Sequence, residues 1–297
     1  MTFLSLGLAV LYASVVYAAP TQLLERASVT PLSAAQISTF KPYTFFASAA
    51  YCQPSATLAW NCGANCQANA GFQPQASGGD GSTTQFWYVG YSPGLNTVVV
   101  AHQGTDTVPI LTDVDFFLAP LDATLFPGLS SSIEVHNGFR DTHARSAPGV
   151  LAAVQKTLAA HSGASVTIVG HSLGAAIALL DTVYLPLHLP AGTTFKTVGY
   201  GMPRVGNQAF ADYVDAHATQ LTHITNKHDP VPILPGRGLG FHHPSGEVHI
   251  DEQTSLWEAC PGQDNTSDLC TVGDVPNIFV SSLGDHTGPY DGVTIGC

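Results

Sequence analysis

With 297 residues, 45% of them hydrophobic and only 10% charged, the chain is too apolar and too weakly charged for a disordered protein. Its nine Lys and Arg, thinly spread against a net charge of −12, argue against a nucleic-acid partner and give anionic membranes no electrostatic handle. The opening "MTFLSLGLAVLYASVVYAAP" reads as a secretory signal over residues 1–19: apolar from Phe3 to Val16, then Ala18, Ala19 and Pro20. It is shorter than the roughly 20 apolar residues a membrane span needs, and no later segment is long enough. The mature, secreted protein is expected to begin near Ala19 or Pro20, or after Arg26 if a short pro-segment is also removed. A single domain over 20–297 is the economical reading.

Next, "SAAQISTFKPYTFFASAAYC" has the apolar spacing of one or two helices, and "CQPSATLAWNCGANCQANAGF" is rich in turns and cysteine. "TTQFWYVGYSPGLNTVVVAHQG" predicts two strands joined at "SPGLN". Residues 105–132 look irregular, and "IEVHNGF" reads as a strand and turn. "PGVLAAVQKTLAAHSG" opens on Pro148, closes on glycine and predicts a helix. "SVTIVG" predicts a buried strand, "SLGAAIALLDTVYL" a helix, and "TFKTVGYGMP" and "LTHITNKHDPVP" further strands ending in loops. Near-continuously apolar strands alternating with helices predict an α/β architecture, a mainly parallel sheet covered on both faces.

The six cysteines, Cys52, Cys62, Cys66, Cys260, Cys270 and Cys297, suit three disulfides outside the cell, though six permit 15 pairings. Repeated Cys-x-x-Cys pairs are absent, so a structural metal site is not expected. "NTS" makes Asn265 a candidate glycosylation site.

Chemistry concentrates at "TIVGHSLGAA", Thr167 to Ala176. A buried strand, then Gly170-His171-Ser172-Leu173-Gly174, then a small-residue helix is the context of a nucleophile elbow. The two glycines let strand and helix approach closely. Ser172 falls at a helix N-terminus, where the dipole favours developing negative charge, and the Leu173 N–H is placed to donate to an oxyanion. His171 reads as a packing residue. A serine hydroxyl needs a base oriented by a carboxylate. Asp229 in "NKHDPVP" follows a strand, with Pro230 favouring a loop. The base is His286 in "LGDHTGPY" or, as the fallback, His243 in "FHHPSGEVHI". His242, His243 and His249 have no acidic or cysteine partner at metal-ligand spacing. In "VVVAHQGTD" the strand ends, Gly104 frees the backbone, and the Thr105 N–H can supply a second oxyanion donor.

In order, "HQGTD", "VHNGF", "VGHSLGAA", "GYGMPRVGNQAFADY", "ITNKHDPVPILP", "HHPSGEVHI" and a late "DH" before a terminal cysteine cover nearly the whole mature chain. With them the chain resembles the fungal class 3 lipases, a family that includes secreted triacylglycerol lipases and feruloyl esterases. The resemblance implies an α/β-hydrolase fold, a Ser172–His286–Asp229 triad, the Thr105 hydroxyl as a further donor, and the pairs Cys52–Cys297, Cys62–Cys66 and Cys260–Cys270. It also implies a lid over 106–112, where Val108, Pro109, Ile110 and Leu111 are apolar; an ordinary buried loop is the alternative. Many relatives carry arginine where Gln103 stands, which bears on how the oxyanion loop is supported. The expected function is ester hydrolysis by a secreted triacylglycerol lipase, as a monomer, on lipid at an oil–water interface, with no metal or organic cofactor. A feruloyl or other short-acyl esterase on the same fold is the alternative, and a binding protein that lost catalysis is a remote one.

Overall fold

A computed structural model describes residues 28–105 and 117–297. The expected signal at 1–19 and the lid candidates Val108, Pro109, Ile110 and Leu111 lie outside these residues.

The chain runs β1 (Thr30–Pro31), α1 (Ala34–Ser38), α2 (Lys41–Ala49), α3 (Pro54–Ala59), α4 (Ala64–Gln67), β2 (Gln73–Gly78), β3 (Trp87–Ser92), β4 (Thr97–His102), β5 (Leu118–Pro120), β6 (Glu134–His136) and α5 (Asn137–Ala160). It continues β7 (Ser165–His171), α6 (Leu173–His188), β8 (Phe195–Tyr200), β9 (Gly206–Asn207), α7 (Gln208–His217), β10 (Leu221–Asn226), β11 (Phe241–His242), β12 (Glu247–Ile250), β13 (Trp257–Cys260) and α8 (Thr271–Asp274). Nine strands form one sheet in the order β1-β13-β12-β10-β8-β7-β4-β3-β2. Its centre, β4 through β12, is parallel, and antiparallel strands close both edges.

Alternation along the central strands explains their continuous apolar character. Val98 and Val100 face the cluster built with α5 and α6, while Val99 and Ala101 face the one built with α2. Both β4 and β7 are buried on both sides, so each carries a near-continuous apolar run instead of a polar alternation. Helix α6 is enclosed for the same reason: every residue from Leu173 to Leu185 is buried, and its Ala and Gly let neighbours close in.

Three features depart from the sequence reading. The helix expected from Pro148 begins eleven residues earlier, at Asn137, where a turn was expected. His136 Nδ1 caps it by accepting from the Phe139 N–H at 3.3 Å, and Phe139, His143, Ala147, Val150 and Val154 give it one continuous buried face. Pro148 interrupts only one backbone hydrogen bond, and that packed face holds the helix through it. A second sheet, β11-β9-β6-β5, was not anticipated because its strands are only two or three residues long. The cysteine-bearing stretch expected as turns contains the short helices α3 and α4.

Three disulfides staple the fold: Cys52–Cys297, Cys62–Cys66 and Cys260–Cys270. The first joins the end of the chain to the residues after α2. Nearby, Ser48 Oγ and Asn65 Nδ2 both donate to the Gly296 carbonyl at 2.8 Å. Asn265 is half-buried in the Cys260–Cys270 loop, its Nδ2 donating to the Pro261 carbonyl.

Candidate active site

Ser172 occupies the turn between β7 and α6 with φ 58° and ψ −130°, a left-handed conformation rare for a residue with a Cβ. Such strain persists only where the surroundings impose it. Here they do: a Cβ on Gly170 would fall 2.2 Å from the Gly174 carbonyl oxygen, and one on Gly174 would fall 2.3 Å from the His102 carbonyl oxygen. Strand, helix and the end of β4 therefore meet backbone to backbone. The Ser172 N–H donates to the Tyr200 carbonyl at 2.9 Å, tying the elbow to β8. Its side chain lies at the positive end of the 16-residue helix α6.

Asp229 lies three residues beyond β10, in a turn where its Oδ1 accepts from the Val231 N–H at 2.9 Å. Its Oδ2 accepts from His286 Nδ1 at 2.8 Å, and both side chains are buried. The bond fixes the imidazole tautomer: with Nδ1 donating to a carboxylate, Nε2 is left as the ring's basic atom.

The backbone of His286 is held as firmly as its ring. Its carbonyl accepts from His171 Nε2 at 2.8 Å and from the Tyr290 hydroxyl at 3.1 Å, and the Asp285 carbonyl accepts from Asn226 Nδ2 at 2.8 Å. Sequence reasoning gave His171 a packing role; the structure gives both its ring nitrogens partners. Because a carbonyl only accepts, His171 carries its proton on Nε2, and Nδ1 accepts from the Tyr51 hydroxyl at 2.6 Å. Burial, and then the neighbouring His286, hold the His171 pKa well below its ordinary value, so it stays neutral. Tyr51 and Asn226 carried no signal in the sequence, since each meets the site only through long-range packing.

His243, the fallback base, points elsewhere. Its Nε2 bonds the Pro232 carbonyl at 2.8 Å, its ring stacks on His223 at 4.8 Å, and burial holds its pKa well down. His242 and His249 pair with Asp264 and Asp274, partners that lie far off in sequence. Among the described residues the single group spaced to hold a metal is Glu247, Cys260 and Cys270, and its two sulfurs are consumed by a disulfide.

The loop after β4 lies against the elbow. A Cβ on Gly104 would sit 3.0 Å from the Ser172 Cβ and 2.6 Å from the His171 carbonyl oxygen. The buried Gln103 Oε1 accepts from the Phe86 N–H at 2.9 Å, which ties the loop to the residue before β3. The Thr105 hydroxyl is buried with no hydrogen-bond partner among the described residues, a costly state unless a ligand oxygen completes it.

A strained serine at the head of a helix, beside an Asp–His pair at the carboxyl ends of a parallel sheet, defines the molecule as an α/β-hydrolase. A family model described as Lipase (class 3) matches residues 99–239. The chain is 36% identical over 223 residues to the secreted mono- and diacylglycerol lipase MDL2 of Malassezia globosa, covering 73% of this chain and 71% of that one. It is 34% identical over 183 residues to the secreted mono- and diacylglycerol lipase LIP2 of Malassezia restricta, where the match covers 61% of this chain but only 56% of the relative. A solved triacylglycerol lipase, whose catalytic centre is formed by a serine protease triad, superposes with a TM-score of 0.78 at 25% identity, over 90% of this chain and 98% of that one. The chain belongs to the class 3 lipase family.

Proposed function

We propose that this chain is a secreted acylglycerol lipase, led by a signal over residues 1–19 and acting through Ser172, His286 and Asp229. The observation that carries the reading is the buried Asp229–His286 pair, its imidazole oriented from both ring and backbone, beside a serine on a strained elbow. Ser172 Oγ attacks the ester carbonyl while His286 Nε2 takes its proton. Asp229 stabilises the resulting imidazolium, and the N–H groups of Thr105 and Leu173, with the Thr105 hydroxyl, bind the tetrahedral oxyanion. Collapse of the intermediate expels the alcohol, which takes the proton from His286. A water activated by the same imidazole then hydrolyses the acyl-enzyme. None of these steps requires a metal or organic cofactor.

Lipid is favoured over a polar ester by the segment leading to His286. Phe279 is 92% exposed, Ile278, Val280 and Leu283 are also exposed, and residues 275–284 carry no charge. An uncharged apolar rim of this kind suits contact with a neutral lipid phase. The relatives named as mono- and diacylglycerol lipases add partial glycerides to the substrate class.

The test is hydrolysis of emulsified trioleoylglycerol, dioleoylglycerol, short and long p-nitrophenyl esters and methyl ferulate by the wild type and Ser172→Ala. Cleavage of the oleoylglycerols, abolished in the variant, is the expected result. Turnover of methyl ferulate or short esters alone keeps the serine chemistry and overturns the lipase reading. Full activity of Ser172→Ala overturns the mechanism.

A further inference from the structure

Beneath the elbow lies a buried ionic cluster that the chemistry above does not use. Asp181, two turns into α6, accepts from His102 Nε2 at 2.7 Å through Oδ2 and from His143 Nε2 at 2.8 Å through Oδ1. All three side chains are at most 1% exposed. Burial alone would raise the Asp181 carboxyl, but the two histidine bonds outweigh it and bring its pKa to about 2. The carboxylate is therefore ionised, and each imidazole donates to it from Nε2. His143 comes from α5, walled by Phe126 and Tyr184, and its Nδ1 has no hydrogen-bond partner among the described residues.

His102 is the last residue of β4, three residues before Thr105, and α6 is the helix whose first residue is Leu173. The two amides assigned to the oxyanion thus hang from separate elements. Asp181–His102 is a side-chain bond directly between those elements, next to the backbone contact of Gly174 with residues 102–103. Stability alone is a poor reason for the cluster, because replacing a buried ion cluster by apolar side chains of similar volume is often neutral or stabilising. Valine, leucine and isoleucine already fill the surrounding core. A charged bond of fixed length supplies what dispersion contacts do not, a defined distance between strand end and helix.

We propose that Asp181, acting through His102, is a positioning residue that sets the oxyanion loop 103–105 against the N-terminus of α6. The inference rests on the hydrolase reading above. It predicts an asymmetry: His102 and His143 give Asp181 one bond each, but only His102 carries the loop.

The test compares His102→Phe, His143→Phe and Asp181→Asn on a soluble p-nitrophenyl ester, with thermal melts and the rate of fluorophosphonate labelling of Ser172. Removal of a whole oxyanion donor costs about 10²–10³ in turnover, so a displaced one is expected to cost about 10–100-fold. His102→Phe should lose that much kcat with KM within about twofold, and labelling should slow in parallel, because the phosphonyl adduct uses the same amides. His143→Phe should keep kcat within about threefold at a comparable loss of Tm. Asp181→Asn should follow His102→Phe; should it fail to fold, the two histidine variants still decide. Equal kcat losses in both histidine variants, or losses that track Tm alone, would overturn the positioning role. A wild type without turnover overturns the hydrolase reading and this inference with it.

Discussion

Gly201 offers a direct test of the Asp229–His286 geometry, because Gly201→Ala pushes one methyl group between the two side chains. The new Cβ would lie 2.9 Å from Asp229 Oδ2 and 3.0 Å from both Nδ1 and Cε1 of His286. Ordinary carbon contacts begin near 3.4 Å, so carboxylate and imidazole must each retreat by a few tenths of an ångström. Their 2.8 Å bond stretches or pivots as they do. Gly201 also sits at φ 51°, where an L-residue pays about 1–2 kcal/mol. Lower unfolded-state entropy returns about 0.4–1 kcal/mol, leaving a net loss near 1 kcal/mol and a Tm lower by about 2–4 °C. A misplacement of about 1 Å can cost 10²-fold in rate, so this smaller shift should lower kcat about 10-fold. Gly192→Ala is the control: its φ is 92°, but nothing lies within 4 Å of the added Cβ. It should lose comparable stability and keep its activity. Hydrolysis of a soluble p-nitrophenyl ester, read beside thermal melts, checks both. Gly201→Ala within twofold of wild type, or a matching activity loss in Gly192→Ala, would refute the reasoning.

Tyr51→Phe leaves the buried His171 Nδ1 without its donor, which should cost about 1–3 kcal/mol and lower kcat several-fold; urea unfolding and ester kinetics check this. Replacing Cys52 and Cys297 together by serine opens a span of 245 residues and should cost about 2–5 kcal/mol, visible as a lower urea midpoint. Burial lowers His136 to about 4, and its Nδ1 must stay unprotonated to cap α5. A histidine lowered on folding stabilises the native state fully above pH 6.5 and loses that stabilisation as pH falls towards 4. His136→Gln should therefore flatten the fall in urea midpoint between pH 6.5 and 4.

The serine motif was legible because strand, turn and helix are each written locally: "SVTIV" is a continuous buried run, and the glycines mark the places where backbones touch. The mainly parallel sheet was legible for the same reason, since enclosure on both faces gives β4 and β7 near-continuous apolar runs. What escaped the sequence reading depends on contacts between distant positions. His102, His143 and Asp181 are separated by 38 and 79 residues and share no local pattern. Tyr51 reaches His171 across 120 residues. The early start of α5 was hidden by Pro148, which reads locally as the opening of a helix but lies inside one that tertiary packing holds together.

A shortage of cations accounts for much of this hidden layer. A chain with nine Lys and Arg but 13 His must satisfy its buried carboxylates mainly without permanent positive charge. Among the described residues Asp264 alone of them takes an arginine, Arg204, at 2.8 Å. Asp229 and Asp181 take imidazoles, while Glu247 accepts from the Thr271 N–H and Asp251 from Thr254. An imidazole donor differs from an arginine in what it leaves behind. With one nitrogen committed to a carboxylate, the other is set as an acceptor. At Asp229 that second nitrogen is the base in the proposed mechanism. At Asp181 the same pairing is closed off from solvent, so only its geometry remains to be used. In the proposed mechanism one chemical habit of the sequence thus serves the proton transfer in one place, and in the proposed positioning role it holds the loop beside it in another.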